Sequence, residues 1–270
     1  MAGRRGAGFW IRLAWAVIYP LDTLLFRLRW RGLDNVPKTG GVLLAVNHIS
    51  YVDPLIIARW VWDAGRVPRF LIKDGLFRVF FVGSVLKGAK QIPVHRGMSD
   101  AQASLRDAVV TVERGECVVI YPEGTVTRDP DWWPMLARTG VARLALAADA
   151  PVVPVAQWGP QYAVDVYNKR FRPFPRKTVT VVAGPPIDLS AYRGRPLTAD
   201  LLREVTDLIM GRIRDLQGEV RGETPPAAFW RRAEAKAVPA GEPADPAPRA
   251  ASAAAADTVD APDAPDQAVS

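Results

Sequence analysis

A histidine and an aspartate stand five residues apart in the segment 47–54, and together they could perform acid–base chemistry. His48 is one of only two histidines in the chain, and Asp53 follows it within the sequence Asn-His-Ile-Ser-Tyr-Val-Asp-Pro. An imidazole accepts a proton near neutral pH, and a carboxylate can fix its tautomer and stabilise its charged form. The pair is therefore suited to activating a hydroxyl group. A loop that ends in a helix start at Asp53-Pro54 explains the same residues without any chemistry.

The spacing restricts where the two side chains can lie. On one regular α-helix, residues five apart point about 140° away from each other. They can therefore meet only if His48 lies in the turn before a helix and Asp53 in its first turn. The apolar run at residues 41–46 predicts a buried strand directly before the pair. The cluster would then lie at the carboxyl end of a strand, where open α/β sheets bind their ligands.

Two further polar clusters also follow apolar runs. In the segment 88–97, Arg96 comes after a short predicted strand, and its planar guanidinium suits a phosphate because it donates two parallel hydrogen bonds. The second cluster follows the predicted buried strand at 117–121. It contains an acid, a glycine, a hydroxyl and an arginine, which are Glu123, Gly124, Thr125 and Arg128. Each cluster alone is a common kind of loop, but their shared position after strands favours one common site.

The composition excludes several classes of site. The chain has 270 residues, 49% of them hydrophobic, and this is enough for one sizeable core. With two histidines, one cysteine and no metal-ligand spacing, we expect no metal site and no metal cofactor. The single Cys117 excludes a disulfide framework and favours a cytosolic environment.

The charge is unevenly distributed. The net charge is +7, but from Glu223 onward eight acids face four bases, so residues 1–222 carry +11. A basic body favours an anionic partner, which can be nucleic acid, an acidic lipid surface or a phosphorylated substrate. Because the sequence contains no nucleic-acid-binding motif, we expect no nucleic-acid partner.

The N-terminal residues 1–31 favour the lipid surface. Their uninterrupted apolar run, residues 13–21, is too short to span a bilayer, which needs about 20 residues. The segment also contains four aromatic residues that suit the headgroup region beside arginines: Trp10, Trp15, Tyr19 and Trp30. We predict a segment in the membrane interface. The alternative is a helix packed on the domain's own core, and the apolar segment 77–86 can be read in the same two ways.

Alternating strands and helices predict an α/β fold. We expect one domain, with a mixed sheet flanked by helices, at residues 32–222, preceded by the interfacial helical segment 1–31. Helices are predicted at about 99–114, 140–148 and from Thr198 onward, and strands near 70–73, 91–94, 152–156 and 178–182. The tail 223–270 is rich in Ala and Pro and has almost nothing to bury, so we expect it to be disordered.

Taken in order, these segments resemble the glycerolipid acyltransferase family, of the lysophosphatidate acyltransferase type. Its first motif, Asn-His, four residues, then Asp, matches Asn47, His48 and Asp53, with Ser50 in its usual place. Its three further motifs match Gly88 to Arg96, Pro-Glu-Gly-Thr at 122–125, and the apolar run with a central proline at 152–156. The resemblance covers about residues 30–190. One position departs from it, because Val126 stands where the family usually has Arg.

The resemblance implies a reaction and a set of roles. A fatty acyl group would pass from acyl-CoA or acyl-carrier protein to the free hydroxyl of 1-acylglycerol 3-phosphate, giving phosphatidate. His48 would be the general base and Asp53 would orient its ring, while Arg96, with Arg128 as the next candidate, would hold the phosphate. Glu123 would bond an acceptor hydroxyl or align an arginine, and Gly124 and Thr125 would donate to the phosphate or the oxyanion.

The resemblance also implies partners and a location. The protein would work at the cytoplasmic face of the cell membrane, as a peripheral or monotopic protein, with a lysophospholipid acceptor, a thioester donor and no cofactor. Two alternatives stay open. The acceptor could be another lysophospholipid or a glycolipid, since Val126 departs from the motif, or the chain could be a catalytically silent protein that binds lipid at the membrane surface.

Overall fold

The computed structural model describes residues 8–94 and 98–231, and of residues 98–102 only the backbone. The helices of this part are α1 (Phe9–Leu25), α2 (Asp53–Asp63), α3 (Phe80–Gly88), α4 (Met98–Glu113), α5 (Gly140–Ala147) and α6 (Ala199–Arg221). Its strands are β1 (Phe26–Arg31), β2 (Val42–Val46), β3 (Pro68–Lys73), β4 (Ile92–Val94), β5 (Cys117–Ile120), β6 (Val152–Trp158), β7 (Val164–Asp165), β8 (Arg170–Phe171) and β9 (Lys177–Ala183).

Seven of these strands form one mixed sheet in the order β1-β9-β6-β2-β5-β3-β4. Neighbours pair in parallel except β6 and β9, which pair antiparallel, so β1 and β9 run against the other five strands. Strands β7 and β8 form a separate antiparallel pair. The mixed α/β class is confirmed, and β4, which contains Pro93, lies at one edge of the sheet.

The central strand β2 is buried on both faces, because helices cover the sheet on both sides. Leu43 and Ala45 belong to the core formed with α4, α5 and α6, whereas Val42, Leu44 and Val46 belong to the core formed with α2. This alternation follows from the period of two along a strand. It explains why β2 reads as a continuous apolar run rather than an alternating one.

Both ends of the described chain extend the domain beyond the predicted boundaries. Residues 26–31, which the sequence places with the interface segment, form β1 and pair with β9 in the sheet. Their exposed arginines alternate with apolar residues that contribute to the core, and this alternation was the missed strand signal. At the other end, Trp230 forms a bridge to Met135, so part of the segment 223–231 lies on the domain. The disorder predicted for the rest of the tail concerns residues 232–270, which lie outside the described part.

Helix α1 packs against α2 and α3. The ring of Trp10 lies where a side chain at Gly88 would have to be, because a Cβ on that glycine would come within 2.1 Å of the ring. Arg59 of α2 donates to the backbone carbonyl of Tyr19 at 2.9 Å, and its guanidinium lies 3.8 Å from the centre of the Tyr19 ring. In the described residues, no helix is long and apolar enough to cross a bilayer.

Asp22 lies in the last turn of α1, and its side chain is buried. Burial raises the pKa of Asp22 from 3.8 to about 7, and the charge of Arg59 opposes the rise. The folded protein therefore holds a proton that the unfolded chain releases between about pH 4 and pH 7, and the free energy of unfolding falls as pH rises through that window.

We therefore expect Asp22→Asn to gain stability over the wild type as pH rises from about 4 to about 7. The gain should reach at most about 4 kcal/mol, since one pKa unit corresponds to about 1.4 kcal/mol. Urea unfolding across this range measures the difference, and Asp34→Asn, at an exposed position, is the matched control. A difference independent of pH would mean that the Asp22 carboxyl does not titrate differently in the folded state.

Candidate active site

The His48–Asp53 pair lies in the loop between β2 and α2. His48 follows the end of β2 by two residues, and Asp53 is the first residue of α2. The Nδ1 atom of His48 lies 2.8 Å from Oδ2 of Asp53. The geometry predicted from the spacing, with the histidine before the helix and the aspartate in its first turn, is confirmed.

Asp53 is completely buried, and one of its oxygens has three partners. Besides the His48 ring, Oδ2 accepts the backbone N–H of Ile49 at 2.6 Å and that of Ser50 at 2.9 Å. Burial raises the pKa of Asp53, while the His48 ring and these two N–H groups oppose the rise. With the carboxylate ionised, Nδ1 of His48 carries the proton and donates it. Nε2 is then the ring nitrogen that can accept a proton from a substrate.

Tyr121 stacks on the His48 ring. The two ring centres are 4.3 Å apart and their planes differ by 23°. Burial raises the pKa of Tyr121 well above its usual value, and the nearby Asp53 charge adds to the rise, so the phenol stays neutral. The sequence interpretation gave Tyr121 no role, although it directly precedes the Pro-Glu-Gly-Thr motif. An aromatic residue directly after a buried strand was the available signal.

Glu123 braces the backbone of the site. Its Oε1 accepts the backbone N–H of His48 at 3.0 Å, and its Oε2 accepts that of Met135 at 3.1 Å. Burial raises the pKa of Glu123 to about 8, against the effect of these two hydrogen bonds. Glu123 was predicted to bond an acceptor hydroxyl or to align an arginine. The structure instead places both of its oxygens on backbone N–H groups, so it positions His48.

The loop after Glu123 brings a cationic side chain to the surface. Gly124 has a φ of +70°, a conformation that glycine adopts without strain, and it is exposed together with Thr125. Arg128 is also exposed, and its guanidinium makes a hydrogen bond with the hydroxyl of Tyr167. That hydroxyl in turn donates to the backbone carbonyl of Val126 at 2.9 Å. The structure therefore exposes a glycine, a hydroxyl and an arginine of one loop, on either side of the buried Val126 and Thr127.

The structure gives a reason why valine stands at position 126, where the family usually has arginine. The Val126 side chain is buried in a small apolar cluster with Ile49 and Trp132. A charged arginine side chain in this inward position would lose its hydration without a partner. Arg138 is a second exposed cation next to this loop, and it passes Gly124, with its Cδ and Nε about 4.0 Å from where a Cβ would stand.

Asn47 and Ser50 support the loop that carries the pair. Asn47 is buried, donates to the backbone carbonyl of Gln157 at 3.1 Å and accepts the backbone N–H of Gln157 at 2.8 Å. Ser50 donates its hydroxyl to the backbone carbonyl of Val164 at 2.8 Å, so its role is structural. These bonds join the loop to β6 and to β7. The predicted phosphate ligand Arg96 and the neighbouring His95 lie outside the described residues.

An apolar cavity lies on the α2 side of the pair. Its volume is about 230 Å³, and its walls come from α1, α2, β3, α3 and the segments next to them. Pro54, directly after Asp53, is part of the lining. So is Phe70, whose ring centre lies 6.5 Å from that of Tyr121. A nearly continuous row of rings, His48, Tyr121 and Phe70, therefore leads from the pair to the cavity.

Three comparisons with known proteins are consistent with this geometry. Residues 27–158 match the family model described as Acyltransferase. A 1-acyl-sn-glycerol-3-phosphate acyltransferase of Bacillus subtilis is 24% identical over 190 residues, which are 69% of this chain and 86% of that protein. The enzyme of the same name from Borreliella burgdorferi is 31% identical over 125 residues, 46% of this chain. The chain spans about half the length of this second relative, 48%.

The fold also has a solved counterpart. The crystal structure of the 1-acyl-sn-glycerophosphate acyltransferase PlsC from Thermotoga maritima superposes with a TM-score of 0.59 at 20% identity. The superposition covers 84% of this chain and 86% of that one. At this identity the likeness concerns the fold, and it confirms the predicted α/β architecture.

Proposed function

Since residues 27–158 belong to the acyltransferase family, we propose that this O-acyltransferase of phospholipid biosynthesis acylates 1-acylglycerol 3-phosphate and so produces phosphatidate. The donor is a fatty acyl thioester, either acyl-CoA or acyl-carrier protein. The observation that carries the proposal is the 2.8 Å contact between His48 Nδ1 and the buried Asp53 carboxylate, beside an apolar cavity.

The pair supports a direct transfer in which His48 is the general base. Nε2 of His48 accepts the proton of the acceptor hydroxyl while the hydroxyl oxygen attacks the thioester carbonyl carbon. A carbon–oxygen bond forms, the carbon–sulfur bond breaks, and the thiolate leaves and takes up the proton from His48. Asp53 stabilises the imidazolium that exists between these two proton transfers. No covalent enzyme intermediate is needed, because the thioester is already activated.

The hydrogen bonds to the His48 backbone and the ring stacked on its side chain favour the reaction, because they fix the position of His48 before substrate binds. Glu123 holds the backbone N–H of His48, and the backbone N–H of Thr127 donates to the His48 carbonyl at 2.7 Å. Tyr121 covers one face of the ring. A base held in this way loses little entropy when the acceptor hydroxyl arrives.

For the phosphate of the acceptor we propose the cationic stretch next to the site. Arg128 is exposed and carries a guanidinium that can donate two hydrogen bonds to a phosphate. Gly124 and Thr125 are exposed on the same loop, and we propose that they donate hydrogen bonds to the phosphate or to the oxyanion. Arg96 stays a predicted phosphate ligand. Glu123 contributes by positioning the loop, since both of its oxygens already accept backbone N–H groups.

The apolar cavity is the proposed place for a fatty acyl chain. Its lining is almost entirely apolar, with Leu55, Trp62 and Leu86 among the side chains. An alkyl chain gains roughly 0.8 kcal/mol for each methylene group transferred from water to such a surface. The cavity lies next to the His48–Asp53 pair, as an acyl chain bound to a reacting ester or thioester requires. We assign the enzyme to the membrane surface, because the lysophospholipid acceptor and the phosphatidate product both reside in the membrane. We assign it to the cytoplasmic face, because the single Cys117 favours a cytosolic environment.

The identity of the acceptor has a second candidate, another lysophospholipid or a glycolipid. The observation that favours it is the buried Val126, which leaves Arg128 and Arg138 as the exposed cations next to this loop in the described part of the chain. An acceptor with a different headgroup would meet a cationic surface of different shape from that of the usual motif.

A panel of acceptors and donors tests the function. Purified protein should acylate 1-acylglycerol 3-phosphate at least about 10-fold faster than uncharged or glycosylated lyso-lipids, because loss of a charge-assisted hydrogen bond costs about 1.5–3 kcal/mol. Each acceptor is combined with acyl-CoA and acyl-carrier protein of several chain lengths, and product is measured by mass spectrometry. Faster turnover of another lyso-lipid would support the second candidate, and no product with any pair would support a silent lipid-binding protein.

A further inference from the structure

The segment from Lys73 to Lys90 presents an unusual apolar surface. It contains a short 3₁₀ helix, Asp74–Arg78, followed by α3. The Phe80 side chain is 95% exposed and the Phe81 side chain 64% exposed. Three further exposed apolar side chains surround them, and these are Leu76, Val79 and Val82. We call these five residues the α3 tip.

The α3 tip is held in place by close packing. A Cβ on Gly83 would come within 2.1 Å of the backbone carbonyl of Phe77, so the 3₁₀ helix and α3 pack against each other at this glycine. The backbone N–H of Gly83 also donates to the carbonyl of Val79 at 2.6 Å. Phe80 and Phe81 therefore project from a packed turn and do not belong to a loop that could fold them inward.

The C-terminal part of α3 packs against the domain. Val85 and Leu86 line the apolar cavity, and Gly88 lies under the ring of Trp10 of α1. One helix thus joins the cavity wall to the exposed tip over fewer than ten residues. An exposed aromatic cluster of this kind on a folded domain marks an interaction surface.

The charges around the tip point to the partner. The segment from Lys73 to Lys90 contains four basic residues and one acid, and the basic side chains Lys73, Arg78, Lys87 and Lys90 are all exposed. Its acid, Asp74, forms an ion pair with Arg78. An apolar centre with a basic rim is complementary to a bilayer that carries anionic lipid, since the rings enter the acyl region and the cations meet the headgroups.

We propose that the α3 tip inserts into anionic membranes, as a lipid contact separate from the N-terminal helix α1. The contact places the α3 wall of the cavity at the bilayer surface, so that an acyl chain can move between membrane and cavity. This consequence rests on the proposed function, whereas the insertion itself depends only on the surface.

A single fluorophore at position 80 tests the insertion. Cys117 is buried and burial raises its pKa to about 12, so it is protected from thiol reagents. A thiol introduced by Phe80→Cys can therefore be labelled selectively with a polarity-sensitive dye. Vesicles of phosphatidylcholine with phosphatidylglycerol should raise and blue-shift its emission. The matched control is Val110→Cys, because Val110 is 41% exposed on α4, with the acids Asp107 and Glu113 one turn away on either side; its dye should report water.

Binding of unlabelled variants gives the second measurement. Phe80→Asp should weaken sedimentation with the anionic vesicles by about 10-fold or more, and Val110→Asp by less than about 2-fold. Equal binding of Phe80→Asp and wild type, together with a dye at position 80 that stays in water, would overturn the inference. So would sedimentation equilibrium showing that Phe80→Asp only dissociates a dimer, since the tip would then contact a second copy.

Turnover in nonionic detergent separates this inference from the proposed function. With the acceptor dissolved in micelles, Phe80→Asp should retain wild-type activity, because the Phe80 side chain is 95% exposed and does not line the cavity. If the wild type itself forms no product while the dye enters the bilayer, the function fails and the membrane contact stands. If the wild type is active and the dye stays in water, only the membrane contact fails.

Discussion

Replacing His48 with alanine is expected to lower kcat by about 10²- to 10⁴-fold, the usual contribution of a general base. The variant loses Nε2, the ring nitrogen that would take the hydroxyl proton, while the backbone contacts of residue 48 with Glu123 and Thr127 can persist. KM should change little, because the proton transfer belongs to the transition state and contributes little to substrate binding.

Chemical rescue distinguishes this role from a structural one. Imidazole added to His48→Ala should restore part of the lost turnover, and the rescue should follow the concentration of the unprotonated form. Removing the ring also removes its stacking on Tyr121, so the free energy of unfolding must be measured alongside. Wild-type turnover in a folded His48→Ala protein would rule out the general-base mechanism.

Much of the fold was predictable because the strong local signals agree with the global architecture. The runs that became β2, β5 and the first five residues of β6 are apolar, as is typical of strands covered on both faces. The helix α6 was predicted from its Thr198 cap, and the structure shows that Thr198 accepts the backbone N–H of Leu201. In these segments the sequence pattern and the tertiary environment impose the same structure.

The missed elements depend on long-range pairing. Strand β1 alternates arginines with apolar residues, but its partner β9 lies about 150 residues later, so no local signal sets the pairing. The short strands β7 and β8 have two residues each, and this is too few to show a period.

The acid–base pair of the site was predictable from the sequence, but the residues that hold His48 in position were not. A spacing of five allows the contact between His48 and Asp53 whenever a helix starts at the aspartate. Glu123 was assigned to the substrate because its charge is visible in the sequence, whereas its burial is not. Burial is what turns both oxygens towards backbone N–H groups, since an unpaired buried carboxylate would be costly. The stacking of Tyr121 on His48 likewise depends on the order of strands in the sheet, which places β5 next to β2.

Asp53→Asn should lower kcat by about 10²- to 10⁴-fold, through the loss of charge next to His48. The amide oxygen of asparagine can still accept the N–H groups of Ile49 and Ser50, so the loop should keep its shape. What is lost is the stabilisation of the imidazolium during the transfer. Urea unfolding of the variant measures the structural part of the effect.

The double variant His48→Ala/Asp53→Asn decides whether the two residues act as one unit. If Asp53 works through the His48 ring, its substitution has little further effect once the ring is absent, and the double variant is about as active as His48→Ala alone. If Asp53 only holds the loop, the two losses multiply. If the two reductions in kcat are independent, His48 is a general base that Asp53 does not assist electrostatically. Non-additive losses would identify the 2.8 Å contact as the interaction that stabilises the transferring proton.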